Sequence, residues 1–169
     1  MTNPMYANAI PVFKQMLMAL KVILAQASAH VTAQSIEPDA LLQARLYPDM
    51  FALAKQVQIA ADFARGVSAR LAGVEVPTHE GQEKSFADLD ALLAQTVSFL
   101  DGLNASQFEG SESREIILRL GTPKEKRLVG QTYLANYGLP QFFFHVTTAY
   151  AILRHNGIAI GKRDYIGAY

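Results

Sequence analysis

The stretch 139–157, LPQFFFHVTTAYAILRHNG, constrains the fold more than any other part of the chain. Proline's fixed φ and missing N–H suit the first turn of a helix, so Pro140 reads as a helix start and Gly157 as its stop. Between them Phe142, His145, Ala149, Ile152 and Leu153 recur at three- and four-residue steps. Phe143, Phe144, Val146, Tyr150 and Ala151 widen the apolar surface beyond one stripe, so other helices must cover this one on several sides. Burying each large apolar side chain contributes about 1.5–3 kcal/mol, enough for this segment to anchor a small bundle.

The remaining helices follow from the same periodicity. Ile10, Phe13, Leu17, Leu20, Leu24, Ala27 and Val31 mark a long first helix with Lys14 and Lys21 on its wet side, and Pro11 either opens its regular part or kinks it. His30 sits near its C-terminal end, where the helix dipole favours a cation. A short helix is predicted over 39–46 and a long one over about 48–72. The buried stripe of the latter is Met50, Leu53, Val57, Ala60 or Ala61, Ala64, Val67 and Leu71. Asp49 and Gln56, seven residues apart, fall on nearly one face of that helix at the core border. Gly73 ends it, and 74–84 reads as an exposed loop carrying a solvated His79. Ser85 and Asp88 cap a third long helix that runs to about Leu103.

From 110 to 130 the period shortens. Ile116, Leu118 and Leu120 alternate, and Arg127, Leu128 and Val129 return as a partner strand, a hairpin that must lean on the helices because two strands alone are marginal in water. Residues 131–137 suit one or two helical turns, and the tail 158–169 reads as extended. The chain is therefore all-α in class, a single domain over 1–169 with four long helices and a small β-hairpin between the third and fourth of them.

Composition narrows the function. Fifteen basic and fifteen acidic residues leave no net charge, without the basic surplus that a phosphate backbone demands, so nucleic acid is not an expected partner. The absence of cysteine excludes disulfides, thiol nucleophiles and thiolate metal sites and is compatible with the cytoplasm. The apolar segment 11–29 is interrupted by Lys14 and Lys21, and no charged leader with a cleavage site precedes it, so neither a membrane span nor export is expected. Nucleophile-elbow, phosphate-loop and dinucleotide motifs are missing.

His145 is the chemically conspicuous group. His155 lies ten residues away, about 15 Å along a helix axis and on another face, so the two cannot share one metal. Gln141 and His145 form an i, i+4 pair, the spacing of metal-binding helices, but glutamine is a poor zinc ligand.

The pattern FxFHxxTAYAILRxNG at 142–157, the segment RLYPDM at 45–50 followed by Gln56, and the closing GKRDYIG at 161–167 together resemble an uncharacterised bacterial branch of the DinB/YfiT-like superfamily. The resemblance runs nearly end to end and implies an up-and-down four-helix bundle, often a homodimer. Relatives commonly hold a divalent metal, zinc or nickel, through one histidine on the second helix and two on the fourth, and some are thiol-dependent transferases or hydrolase-like enzymes. By position His145 matches the second histidine of the fourth-helix pair. Gln141 stands where the first would be, and the second helix offers only Asp49 and Gln56. A catalytic zinc needs about three protein ligands of N, S or carboxylate type, so the resemblance implies a degenerate metal site.

One reading of His145 is a core histidine satisfied by glutamine, hydroxyl or backbone partners for stability alone, and three functional readings stand beside it. The first is a metal-free polar pocket for a small molecule, lined by His145, Gln141, Gln56, Asp49 and Tyr150, with the glutamines satisfying His145. Another is a surviving metal-dependent thiol transferase or hydrolase-like enzyme in which His145 and Asp49 hold the cation. The last is a non-catalytic dimeric module whose apolar surplus on the first and fourth helices packs across a two-fold axis. At the C-terminal end, Arg154 reads as a cap for the fourth helix, and the tail with Lys162 and Asp164 as a structural clasp or a cover for the bundle mouth.

Overall fold

The computed structural model describes residues 3–169. In chain order it contains α1 (Pro4–Ala33), α2 (Pro38–Leu42), α3 (Leu53–Ala72), α4 (Phe86–Asp101), a 3₁₀ turn (Ala105–Phe108), β1 (Glu115–Leu118), β2 (Lys126–Val129), α5 (Gly130–Thr132), a π-helical turn (Tyr133–Gly138), α6 (Leu139–His155) and α7 (Lys162–Ile166). The long helices α1, α4, α3 and α6 each pack on the next around an up-and-down four-helix bundle, with the hairpin inserted between α4 and α6.

The bundle centre is built from the stripes that periodicity predicts. Ile10, Phe13, Leu17 and Leu20 of α1, Val57, Ala64 and Leu71 of α3, Leu89 and Leu93 of α4, and Phe142, Ile152 and Leu153 of α6 are all buried. Phe13 and Phe142 meet edge to face at 4.8 Å and tie α1 to α6. By length and composition α1 could cross a membrane. In this fold it is a bundle helix instead: its apolar stripe is core, and Lys14 and Lys21 lie on its solvent side, where they pair with Asp101 and Asp90 of α4.

Five expectations are corrected. The segment 48–52 is loop, because the Arg45 guanidinium donates to the Pro48 and Met50 carbonyls and holds the chain away from helix until Leu53. Met50 is consequently only half-buried and Asp49 is exposed. The hairpin forms, with Ile116 opposite Leu128 and Leu118 opposite Lys126, but Leu120 lies beyond it and is exposed. The short helix expected over 39–46 ends at Leu42, whereas Pro140 does stand in the first turn of α6 as expected. The helical run begins at Gly130, and the widened turn before Pro140 accommodates a residue that has no N–H to give and whose ring crowds the preceding turn.

The tail is the fourth correction. It forms the single turn α7, nucleated by Asp164 Oδ2, which accepts the Gly161 N–H at 2.7 Å. This turn lies on α1, where Gln15 donates to the Ile166 carbonyl and Gln26 to Asp164. Arg154, in the last turn of α6, donates to the Ile158 carbonyl beyond the end of that helix, so it ties the following segment to α6 and caps none of the helix's own carbonyls.

Candidate functional site

Helices α3 and α6 face each other through two polar and aromatic stripes. On α3 they are Gln56, Phe63 and Arg70 at seven-residue steps, and on the opposing run Tyr133, Tyr137, Gln141 and His145 at four-residue steps. Seven residues are almost two helical turns, so each series keeps one face. The helices run antiparallel, and the stripes meet rung by rung: Gln56 on His145, Phe63 on both His145 and Tyr137, Arg70 on Tyr133.

The first rung defines the state of the imidazole. His145 Nδ1 lies 2.7 Å from Gln56 Oε1, and Gln56 Nε2 donates to the Phe51 carbonyl at 3.1 Å. That second bond fixes which end of the amide is oxygen, and an amide oxygen only accepts, so the His145 proton is on Nδ1. Nε2 is then a free lone pair, with no hydrogen bond among the described residues. Gln56 is buried, and the imidazole stacks on Phe63 at 5.9 Å and meets Phe144 edge-on at 5.2 Å. Burial disfavours the imidazolium and pulls the His145 pKa below its ordinary value.

A pH dependence follows from that sign. The unfolded chain accepts the proton first, so the stability contributed by neutral His145 is complete above the unfolded pKa of 6.5 and is lost as pH falls through the lower folded value. Urea denaturation between about pH 7.5 and pH 5 should show the wild type losing more stability than His145→Leu. Parallel curves for the two proteins would rule this out.

At the far rung Tyr133 is among the largest fully buried side chains. Its hydroxyl accepts from Arg70, which also donates to the Gly66 carbonyl. Burial raises the Tyr133 pKa, with Arg70 opposing, so the phenol stays protonated. Tyr133 and Tyr137 stack at 5.6 Å. Gly138 is required here, since a Cβ on it would stand 2.7 Å from a Val67 methyl and push the π-helical turn off α3.

The other candidates are dispersed. Gln141 lines a cavity beneath the hairpin. Asp49 stands on the exposed loop before α3, not on a helical face with Gln56. Tyr150, about 140° around α6 from His145, packs against Tyr165 of α7. The donor set therefore suits zinc or nickel poorly: around His145 one imidazole and one neutral amide meet, and among the described residues no group of three His, Asp or Glu side chains is arranged to hold a metal ion.

His79 also departs from its expected solvated state. Its Nδ1 lies 3.2 Å from Asp62 and its Nε2 2.6 Å from Glu83, with Gln58 donating to Glu83 and Arg65 pairing with Asp62. This clamp fastens the loop 74–84 to α3. Of the residues that sequence reasoning passed over, Phe63 and Arg70 were reachable by extending the seven-residue step from Gln56. Tyr133 and Tyr137 were reachable by extending the four-residue step back from His145.

The chain is similar to a protein family and to a solved structure. The family model described as "Domain of unknown function (DUF1993)" matches residues 5–166. The crystal structure of a DinB family member protein from Shewanella denitrificans is 36% identical over 97% of this chain and 92% of that chain, with a TM-score of 0.91. No curated protein matches.

Proposed function

The chain belongs to the DUF1993 family and has the fold of a DinB family member, and from that premise we propose that it binds a small molecule through a metal-free polar pocket around His145. The observation that carries this reading is the Gln56–His145 hydrogen bond at 2.7 Å. Where the wider superfamily sets metal-binding histidines, this chain sets an amide that orients one neutral imidazole. Such an imidazole presents Nε2 as a hydrogen-bond acceptor, or as a proton acceptor, between two phenyl rings. We propose the cytoplasm as its setting, on the strength of the cysteine-free composition.

Elemental analysis of untagged protein purified without chelator, beside His145→Ala, tests the reading. The expected result is metal far below one equivalent in both samples, with His145 in the Nδ1–H form by nitrogen NMR. Near-stoichiometric metal that disappears in His145→Ala would overturn the reading in favour of a metal-dependent thiol transferase or hydrolase-like enzyme.

A second reading, a homodimeric interaction module, is favoured by an exposed apolar stripe on α1. Met18, Val22, Ala25 and Ala29 follow one face at four- and three-residue steps, and Met18 and Val22 are about half exposed. Phe144 is exposed on α6. Sedimentation should show a dimer that Val22→Glu dissociates. A monomer independent of concentration would count against this reading.

A further inference from the structure

Under the hairpin lie two adjoining cavities that share Leu118, Arg119 and Tyr137 as walls. One, of about 200 Å³, reaches Phe63 and Arg70 on α3 and Tyr133. The other, of about 300 Å³, is bounded by Lys124, Lys126 and Gln141. Together they approach the size of an ordinary small-ligand site.

Four cations line this space: Arg70 from α3, and Arg119, Lys124 and Lys126 from the hairpin. Among the described residues none of the four is in an ion pair with a carboxylate. The nearby acids are already engaged. Arg127 takes Glu115 and Glu125, the latter held below the usual carboxylate range first by the Gly121 N–H and then by Arg127. Asp62, the one acid bordering the cavities, is bonded by Arg65 and His79. A chain with no net charge thus concentrates uncompensated positive charge in one recess.

The placement is more specific than a soluble surface requires. Lys126 pairs with Leu118 across the ladder, so it shares the hairpin face on which Ile116 and Leu118 are buried, and its ammonium stands 6.0 Å over the Tyr137 ring. Arg119 adopts a left-handed φ of 54°, a conformation that costs a non-glycine residue energy and that clusters at ligand sites. The π-helical turn supplying Tyr133 and Tyr137 is likewise a rare element enriched at functional positions.

We propose that this recess binds a small organic anion, its carboxylate or phosphate group held by Arg119 and Lys126 and its body lying against Tyr137. Guanidinium forks and a lysine point charge suit such oxygens. The inference rests on the small-molecule reading only in sharing Phe63 and Gln141 as neighbours of His145, and it adds the sign of the ligand's charge.

Titrations of benzoate, phenyl phosphate and inorganic phosphate, followed by amide NMR shifts and calorimetry, test it. At least one probe should bind saturably with shifts at Tyr137 and the hairpin. The double variant Arg119→Gln/Lys126→Gln should weaken it at least about tenfold, the loss of two charge-assisted contacts, while Arg127→Gln on the opposite face stays within about twofold. Both sets change exposed side chains, so folding is preserved and far-UV dichroism will confirm it. A preference for phenyl phosphate over inorganic phosphate identifies an organic ester, and the reverse identifies a free phosphate site and overturns the organic assignment. Saturation by none of the three probes, or binding indifferent to Arg119 and Lys126, overturns the proposal. Binding lost in His145→Ala but untouched by the cation variants would sink this proposal while upholding the His145 pocket, and the opposite pattern would do the converse.

Discussion

Phe142→Ala is expected to lower the unfolding free energy by about 3–5 kcal/mol, the usual cost of emptying a fully buried phenylalanine position. Phe142 has no exposed surface, and its ring meets Phe13 of α1 edge-on at 4.8 Å and Phe143 at 5.6 Å. Edge-to-face pairs contribute about 0.5–1.5 kcal/mol beyond the area they bury, so the substitution removes both the core volume and the contact joining the first and last long helices. Two residues along, Phe144 is 56% exposed, and Phe144→Ala should change stability by no more than about 0.5 kcal/mol. Urea denaturation of the two variants checks both values. Similar losses in both would mean that the face of α6 turned to the core is misassigned.

That contrast also shows what a sequence can and cannot disclose. Phe142 and Phe144 belong to one unbroken apolar run, and periodicity identifies the helix and its inner positions because burial on a 3.6-residue repeat leaves a regular trace. The elements that escaped are those held by contacts without a period. Pro48 looks like a helix start, yet Arg45 reaches forward to the Pro48 and Met50 carbonyls and keeps the segment as loop. The single turn α7 is too short to show periodicity, and it exists through Asp164 capping Gly161 and through Gln15 and Gln26 on α1.

The candidate site was legible in part for the same reason. Gln56 and His145 were marked by position within a resemblance, and they do meet. Asp49 was tied to Gln56 by a seven-residue step that holds only inside a helix, and that helix begins later, at Leu53. Tyr150 follows His145 by five residues, which on a helix sends it to the other side, towards Tyr165. Gly130, Gly138 and Pro140 punctuate the sequence around Tyr133 and Tyr137, so the four-residue series ending at His145 looked broken. The backbone runs through all three by widening one turn. His79 depended on Asp62, seventeen residues away, a pairing that no local pattern announces.

Gly130→Ala carries the other large expected effect, and it connects stability to the recess beneath the hairpin. An added Cβ at Gly130 would lie 1.8 Å from the Ser111 carbonyl oxygen and 3.2 Å from a Leu71 methyl. The first of these is backbone and cannot turn aside as a flexible side chain would. Ser111 is itself buried, and the Gly130 N–H donates to the Arg114 carbonyl at 2.8 Å, so the two chain segments are already fixed against each other. Forcing a methyl between them requires a backbone shift, and such overpacking costs about 1–3 kcal/mol or more. The shift has a direction. Gly130 follows β2 and opens the helical run, so displacing it moves the hairpin, with Arg119 and Lys126, relative to Tyr133 and Tyr137. The expected result is a lower urea midpoint together with altered amide shifts at Tyr137 and weaker binding of whichever anion the wild type holds. Retention of full stability by Gly130→Ala would show that the 111–114 segment yields freely and that the hairpin is not held where this geometry places it.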